Sequence, residues 1–178
     1  MDRPAHVRLE TDEIGAARPG MAFTLNGIAQ GYIADRIAQL LTEAGLMDHR
    51  VDMGEIVATG RRPEGRAWQA GVGGMSGQVM RRVALSGRAL ATSAPQGTLI
   101  DPVGGLGHII DPSVGRPGGG RWSTVSVSAP IAAFADGLST AFCLMPPDAI
   151  SRALAAYLQA RLELLVGNDR NRRGGRTS

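Results

Sequence analysis

The sequence predicts an α+β fold, in which mixed, largely antiparallel sheets pack against helices. One segment with clear helical periodicity is followed by short β-type segments that Gly and Pro separate, and helices and strands do not alternate as in a parallel sheet. The 178 residues have the size of one domain, and 43% of them are hydrophobic, which is enough for a core. We expect a short polar segment at 1–20, the domain at 21–167 and a disordered basic tail at 168–178.

The first predicted elements follow a turn at Arg18-Pro19-Gly20. Residues 21–25 are predicted to form a strand. A helix comes next, with Asn26 as its N-cap and Gly45 as its stop. Spacings of three and four predict that one face of this helix is buried. The apolar residues on that face are Ile28, Ala29, Tyr32, Ile33, Ile37, Leu40 and Leu41.

Short β-type segments occupy the middle of the chain. They lie at 50–53, 56–59, 68–72 and 83–85, with turn signals between them, and predict an antiparallel meander. The Gly-rich stretch at 71–77 lacks the spacing of a phosphate-binding loop, so a hairpin connection is the simpler interpretation.

The last third of the chain is predicted to form a strand, two helices and a strand. The first strand lies at 123–128, and a strongly apolar helix follows at 131–145 until Pro146-Pro147 ends it. A second helix is predicted at 148–159 and a final strand at 162–166.

Charge and cysteine content exclude several classes of function. The formal net charge is +3, but all 19 basic residues are Arg and most are scattered. The one basic run, at 169–176, has no apolar anchor, so no nucleic-acid partner is expected. Cys143 is the only cysteine, which excludes an intrachain disulfide, and no Cys/His spacing suggests zinc. The sequence contains no stretch of about 18 uninterrupted apolar residues, so no membrane span is predicted. Residues 1–8 lack the apolar core of an export signal, which predicts a cytoplasmic protein if the start is genuine.

Asp136 is the most informative residue, because it is the only charged residue between Arg121 and Asp148. A carboxylate in an apolar helix needs an ionic partner, hydrogen bonds or a cation. Thr140 lies one turn later on the same face, and together these two side chains offer oxygen ligands that Mg²⁺ accepts. From the pattern alone, Asp136 could equally cap a loop or pair with an Arg.

Two further segments carry candidate chemistry. The segment 23–32 runs into a helix N-terminus, where free N–H groups can face an anionic ligand, although Asn-Gly also begins many helices for capping alone. His108 lies in the segment 107–117, an apolar strand end followed by a turn rich in Pro and Gly. It could serve as a general base or a ligand-binding donor, or be a hydrogen-bonded structural residue.

Taken together, these segments resemble the FAD:protein FMN transferases, also called the ApbE family. Their order and spacing fit the family over residues 21–166. The similar segments are 24–32 with Asp35 (family D-L-G-G-I-A-K-G-Y-x-x-D), 51–56 (V-D-L-G-G-D-I), 91–93 (A-T-S), 108–115 (H-I-I-D-P-x-T-G) and 135–141 (A-D-A-L-A-T-A).

The resemblance implies a transferase that cleaves FAD with Mg²⁺ and attaches FMN to a Thr or Ser of a target flavoprotein, releasing AMP. The implied ligands of Mg²⁺ are the carbonyl of Gly27 and the side chains of Asp136 and Thr140. The implied contacts to FAD are Thr24, Gln30 and Ile109. His108 is the candidate base. The variant at 25–31 is most similar to the branch that accompanies nitrous oxide reductase maturation, whose target is a membrane-bound flavoprotein regulator. A periplasmic location is also implied.

The departures from the family pattern lead to further expectations. Thr24 stands where the family usually has Asp, Gln30 where it often has Lys or Glu, and Gly54-Glu55 where it has Gly-Gly-Asp, so altered contacts to FAD are expected. Family members carry a long N-terminal part, whereas this chain begins close to the first motif. We therefore expect open apolar surface on the helix near 28–41 or at 131–145, self-association, weak FAD binding and slow or no FMN transfer by this chain alone. A non-catalytic FAD-binding module and a chain that does not fold stably remain alternatives.

Overall fold

The computed structural model describes residues 7–17, 19–74, 77–101, 103, 105–118 and 120–168. Of the basic tail predicted to be disordered at 168–178, the structure describes Asn168, whose backbone N–H donates to Arg121 O. Residues 169–178 lie outside the described ranges, as do Arg18 of the predicted turn and residues 75–76 of the Gly-rich stretch. The helices are α1 (Asn26–Glu43), α2 (Ala132–Phe142) and α3 (Pro147–Ala156). The strands are β1 (Val7–Leu9), β2 (Ile14–Ala16), β3 (His49–Asp52), β4 (Ile56–Thr59), β5 (Trp68–Gly73), β6 (Val79–Leu85), β7 (Arg88–Ser93), β8 (Leu99–Asp101), β9 (Leu106–Gly107), β10 (Ile110–Asp111), β11 (Arg116–Pro117), β12 (Trp122–Ala129) and β13 (Arg161–Gly167).

A five-stranded antiparallel sheet forms the centre, in the order β13-β12-β7-β4-β3. Its middle strand, β7, was missed by the sequence prediction because Ala89 and Ala91 have low β-propensity. The strand forms because β4 and β12 supply hydrogen-bond partners on both sides; Ser93, for example, pairs with Val125. The α+β fold class is confirmed.

The sheet lies between two other layers. On one face, Val57 and Ala89 pack against α1 and the start of α2. On the other face, Ala58 and Leu90 pack against the β5–β6 hairpin. Because β4 pairs with β7 rather than with β5, the predicted meander is wrong; β3–β4 and β5–β6 are two separate hairpins.

Helix α1 buries its small residues, which corrects most of the predicted buried face; of the predicted residues, Ile37 and Leu41 pack against the core cluster. Gly31, Ala34 and Ala38 are buried, whereas Tyr32, Ile33 and Leu40 are exposed, as are Ile28 and, in part, Ala29. The reason is the close approach of α2: a Cβ on Gly31 would stand 2.5 Å from the carbonyl oxygen of Ala132. Large side chains cannot fit between backbones at this spacing.

The predicted strand at 21–25 is wrong, because no strand pairs with this segment and it enters α1 directly through the bond from Ile28 N–H to Leu25 O. The helix begins at Asn26 with Leu25 as its N-cap, one residue earlier than predicted, and Gly45 follows its end at φ 89°. The predicted elements at 50–53, 56–59, 68–72, 83–85, 123–128, 131–145, 148–159 and 162–166 correspond to β3, β4, β5, β6, β12, α2, α3 and β13 with shifted bounds at most.

Helix α2 packs against the sheet and α3, and Leu138 and Phe142 belong to its buried core cluster. The expectation of open apolar surface therefore fails for α2 and holds for α1. None of the helices in the described ranges combines the length and apolar character needed to cross a membrane.

Candidate active site

A cavity of about 900 Å³ opens between the start of α1, helix α2, the end of β7 with the loop that follows it, and the segment between β9 and β10. All of the residues predicted for the site line it: Thr24, Gly27, Gln30, His108, Ile109, Asp136 and Thr140. The fold therefore brings together in one place groups that are far apart in the sequence.

Asp136 projects from the middle of α2 and is only 6% exposed. Its Oδ2 atom accepts a hydrogen bond from the backbone N–H of Gly31 over 3.2 Å. Burial raises the pKa of the Asp136 carboxyl above its usual value, and the Gly31 bond opposes that shift. A carboxylate placed in this way gains stability from a cation in the cavity.

Thr140 lies one helical turn after Asp136, and its hydroxyl is held by a neighbouring strand. Ser93, at the end of β7, places its Oγ atom 3.1 Å from Thr140 Oγ1 and 2.7 Å from Ser139 Oγ. Ser93 also lines the cavity. The sequence prediction did not include Ser93, although it stands in the A-T-S segment that supports the family resemblance.

Gly27 faces Thr140 across the α1–α2 contact. A Cβ on Gly27 would stand 3.4 Å from Thr140 Cγ2, and its carbonyl oxygen lies 4.0 Å from the position of a Cβ on Gly137. The Gly27 carbonyl oxygen thus lies near the segment of α2 between Asp136 and Thr140.

The donor set formed by the Asp136 carboxylate, the Thr140 hydroxyl and the Gly27 carbonyl fits a hard divalent cation such as Mg²⁺. Within the described ranges, no group of three or more His, Cys, Asp and Glu side chains could hold a metal ion. A cation here would have one charged protein ligand and neutral oxygens, which suits Mg²⁺ bound jointly by a protein and substrate phosphates.

His108 is an exposed side chain at the rim of the cavity. Its Nδ1 atom lies 3.1 Å from the carbonyl oxygen of Thr98. Because a carbonyl only accepts, Nδ1 carries the hydrogen in this bond, and in a neutral imidazole the Nε2 atom then keeps its lone pair. This tautomer suits a base.

The three residues predicted to contact FAD differ in their surroundings. Thr24 and Gln30 are exposed at the start of α1, and Thr24 Oγ1 accepts a hydrogen bond from Asn26 N–H over 3.3 Å. Ile109 is 5% exposed and packs into the core cluster of α2 and α3. The side chain of Ile109 therefore forms part of the apolar cavity wall, and it is the other two that offer polar groups to a ligand.

Two acidic residues that the prediction left without a role support the site. Asp35, from the third turn of α1, accepts hydrogen bonds from the first N–H groups of α2, those of Ala132 at 2.7 Å and Ala133 at 2.9 Å. Glu55, in the turn between β3 and β4, is 5% exposed and lines the cavity. Both stood in segments quoted for the resemblance, but only the structure shows what they contact.

Comparison with known proteins identifies the family. The family model described as the ApbE family matches residues 2–166. The chain belongs to the ApbE family. It is 29% identical over 165 residues to the FAD:protein FMN transferase of Haemophilus influenzae, a match that covers 86% of this chain and 48% of the relative.

Solved structures of the family share the fold. The crystal structure of the ApbE protein of Thermotoga maritima superposes with a TM-score of 0.74 at 24% identity, covering 97% of this chain and 60% of that one. The apo form of the flavinyl transferase ApbE of Pseudomonas stutzeri superposes with a TM-score of 0.66 at 29% identity, covering 83% of this chain and 46% of that one. The chain spans half or less of the length of the curated relatives it matches.

Proposed function

We propose that this chain is the catalytic part of an FAD:protein FMN transferase, which attaches the FMN half of FAD to a Thr or Ser of a target flavoprotein and releases AMP. The observation that carries the proposal is the convergence of all the residues predicted for the site on one cavity. The names of the curated relatives support the same reaction.

Gly27, Asp136 and Thr140 would hold Mg²⁺ in this reaction. The bound cation would neutralise charge on the pyrophosphate oxygens of FAD. The protein's own contribution is positional: the bond from Gly31 fixes the Asp136 carboxylate, and Ser93 fixes the Thr140 hydroxyl. Ordered ligands need no rearrangement when the substrate binds.

His108 acts as the base for the acceptor hydroxyl. Its Nε2 atom takes the hydroxyl proton while the hydroxyl oxygen forms a bond to the FMN-side phosphorus. The phosphoanhydride bond breaks, and the bridging oxygen leaves with AMP. The bond from His108 Nδ1 to Thr98 O supports this role, because it orients the ring and leaves Nε2 free to accept.

Thr24 and Gln30 contact the bound FAD, beside the apolar wall that Ile109 provides. The target flavoprotein carries its FMN through a phosphoester bond to a Thr or Ser. The variant sequence at 25–31 favours a membrane-bound regulator of nitrous oxide reductase maturation as that target. We propose a periplasmic location on the same grounds.

Binding and transfer test the proposal separately. We expect FAD with Mg²⁺ to raise the melting temperature of the chain, whereas NAD at equal concentration has little effect; a ligand at 100 times its Kd stabilises by about 2.7 kcal/mol. Equal stabilisation by both dinucleotides would contradict the flavin assignment.

For transfer, the chain is co-expressed with an acceptor flavoprotein in a host without its own FMN transferase. In-gel flavin fluorescence and intact mass should show slow attachment of one FMN per acceptor, and an acceptor whose Thr or Ser is replaced by Ala is the control. FAD binding without any transfer would instead support a non-catalytic flavin-binding module.

A further inference from the structure

Glu55 is a buried carboxylate with one oxygen that the protein leaves without a donor. Its Oε2 atom is buried and has no hydrogen-bond partner among the described residues. The side chain is 5% exposed, and the turn between β3 and β4 directs it to the wall of the cavity. An unpaired buried carboxylate oxygen is unfavourable in the free protein, so a ligand that supplies a donor there would relieve it.

The electrostatics of the cavity restrict what that ligand group can be. Asp136 lines the same cavity, and after burial itself its charge is the next largest cause that raises the pKa of Glu55. Two carboxylates repel an anionic group that would contact both, which leaves a cation or a neutral hydrogen-bond donor. The cation proposed for this cavity already has its protein ligands in Asp136, Thr140 and the Gly27 carbonyl, so a neutral donor is the partner that remains for Glu55 Oε2.

We infer that Glu55 accepts a hydrogen bond from a sugar hydroxyl of the bound dinucleotide, next to its pyrophosphate. This inference rests on the proposed function, in which the pyrophosphate lies at Asp136. FAD carries hydroxyls on both sides of that group: the ribityl chain belongs to the FMN half and a ribose to the AMP half. A hydroxyl donating to a carboxylate forms a strong, charge-assisted bond. Glu55 is thus a ligand-binding residue that distinguishes polyol phosphates from simpler anions.

Calorimetric titration of the full chain with FAD, FMN or AMP, each with Mg²⁺, tests the inference. We expect Glu55→Leu to raise the Kd for FAD by roughly 10- to 100-fold and Glu55→Gln, which keeps one acceptor and the shape, by less. If the variants bind FMN more weakly, the hydroxyl belongs to the ribityl chain. If they bind AMP more weakly, it belongs to the ribose. Asp52→Asn is the matched control. It removes a carboxylate from the same hairpin, but the side chain of Asp52 is half exposed and paired with Arg50.

The melting temperature of the ligand-free variants separates a ligand-binding role from a structural one, because the two roles predict changes of opposite sign. Removing an unpaired buried carboxylate should raise it, so Glu55→Leu is expected to be more stable and to bind FAD more weakly. A lower melting temperature in both variants would show that Glu55 is structural and contradict the inference.

Two other results would also contradict it. Equal Kd values for FAD in the unaltered chain and both variants would exclude the hydrogen bond while leaving the proposed function intact. A bound-Mg²⁺ stoichiometry that decreases in Glu55→Gln would show that the partner is a second cation. No FAD binding by the unaltered chain would contradict the proposed function and this inference with it.

Discussion

The backbone N–H of Gly31 donates a hydrogen bond to Asp136 Oδ2, which joins α1 to the buried carboxylate of α2. The bond requires the two helix backbones to be close, and they are: a Cβ on Gly31 would stand 2.5 Å from Ala132 O and 2.7 Å from Ala133 Cα. One glycine therefore sets both the helix spacing and the position of the proposed metal ligand.

Gly31→Ala should destabilise the protein by about 1 to 3 kcal/mol, because the added methyl group meets backbone atoms that cannot move without separating the helices. Urea denaturation measures the change. Gly120→Ala is the matched control, since a Cβ there has no atom within 4 Å. Equal stability of the two variants would mean that the helix contact is looser than the structure indicates.

Asp136→Asn should keep the fold and lower Mg²⁺-dependent FAD cleavage by roughly 100-fold or more, because the amide has nearly the same shape but no charge for the cation. Product AMP is measured by chromatography, and circular dichroism checks the fold. Asp148→Asn, which alters an exposed carboxylate on α3 paired with Arg152, is the control. Unchanged cleavage in Asp136→Asn would make Asp136 a structural residue.

Asp35→Ala should reduce the free energy of unfolding by about 0.5 to 2 kcal/mol, the range found for the loss of helix N-caps. Asp35 acts as the cap of α2 from another helix, through its bonds to Ala132 and Ala133 N–H. Thermal denaturation measures the loss, with the exposed Asp12→Ala as control. No difference between the two would show that solvent caps α2 equally well.

Glu55→Gln should change how stability depends on pH in the metal-free protein. Burial, with Asp136 and Asp52, raises the pKa of Glu55 above 4.5, so the native state keeps a proton that the unfolded chain has lost. The native state binds more protons in this window, and stability falls as pH rises from 4.5 through the raised pKa. Glu55→Gln has no carboxyl to lose this proton, so its stability does not decrease in this way. It should be more stable than the unaltered chain at pH 7, but not near pH 4. Denaturation with EDTA at several pH values measures the gap, and a gap independent of pH would contradict the prediction.

Self-association is predicted from the outer surface of α1, where Tyr32, Ile33 and Leu40 are 58%, 47% and 56% exposed. Exposed apolar groups favour association. Sedimentation velocity should show a concentration-dependent increase in mass, which Ile33→Ser with Leu40→Ser reduces. The polar replacement Gln39→Ser on the same helix should leave it unchanged. A monomer at all concentrations would contradict the prediction.

Local signals in the sequence were sufficient for several elements. Gly45 marks the end of α1, Asn26 places its start to within one residue, and the apolar run that contains Asp136 predicts α2. Capping, turns and periodicity depend on residues a few positions apart, so they can be recognised without knowledge of the fold. The isolation of one carboxylate in an apolar helix likewise marked Asp136 as a candidate site residue.

Two features depended on partners elsewhere in the chain. They are the choice of the buried face of α1 and the position of β7 at the centre of the sheet. The sequence by itself determined the α+β class, the helices and the chemical groups available to a site. Only the tertiary structure decided that Gly31 contacts Asp136, that Asp35 caps α2 and that Glu55 is buried beside the cavity. The physical reason is that burial and hydrogen bonding between distant segments are set by the neighbours that packing brings together, and those neighbours leave no local pattern in the sequence.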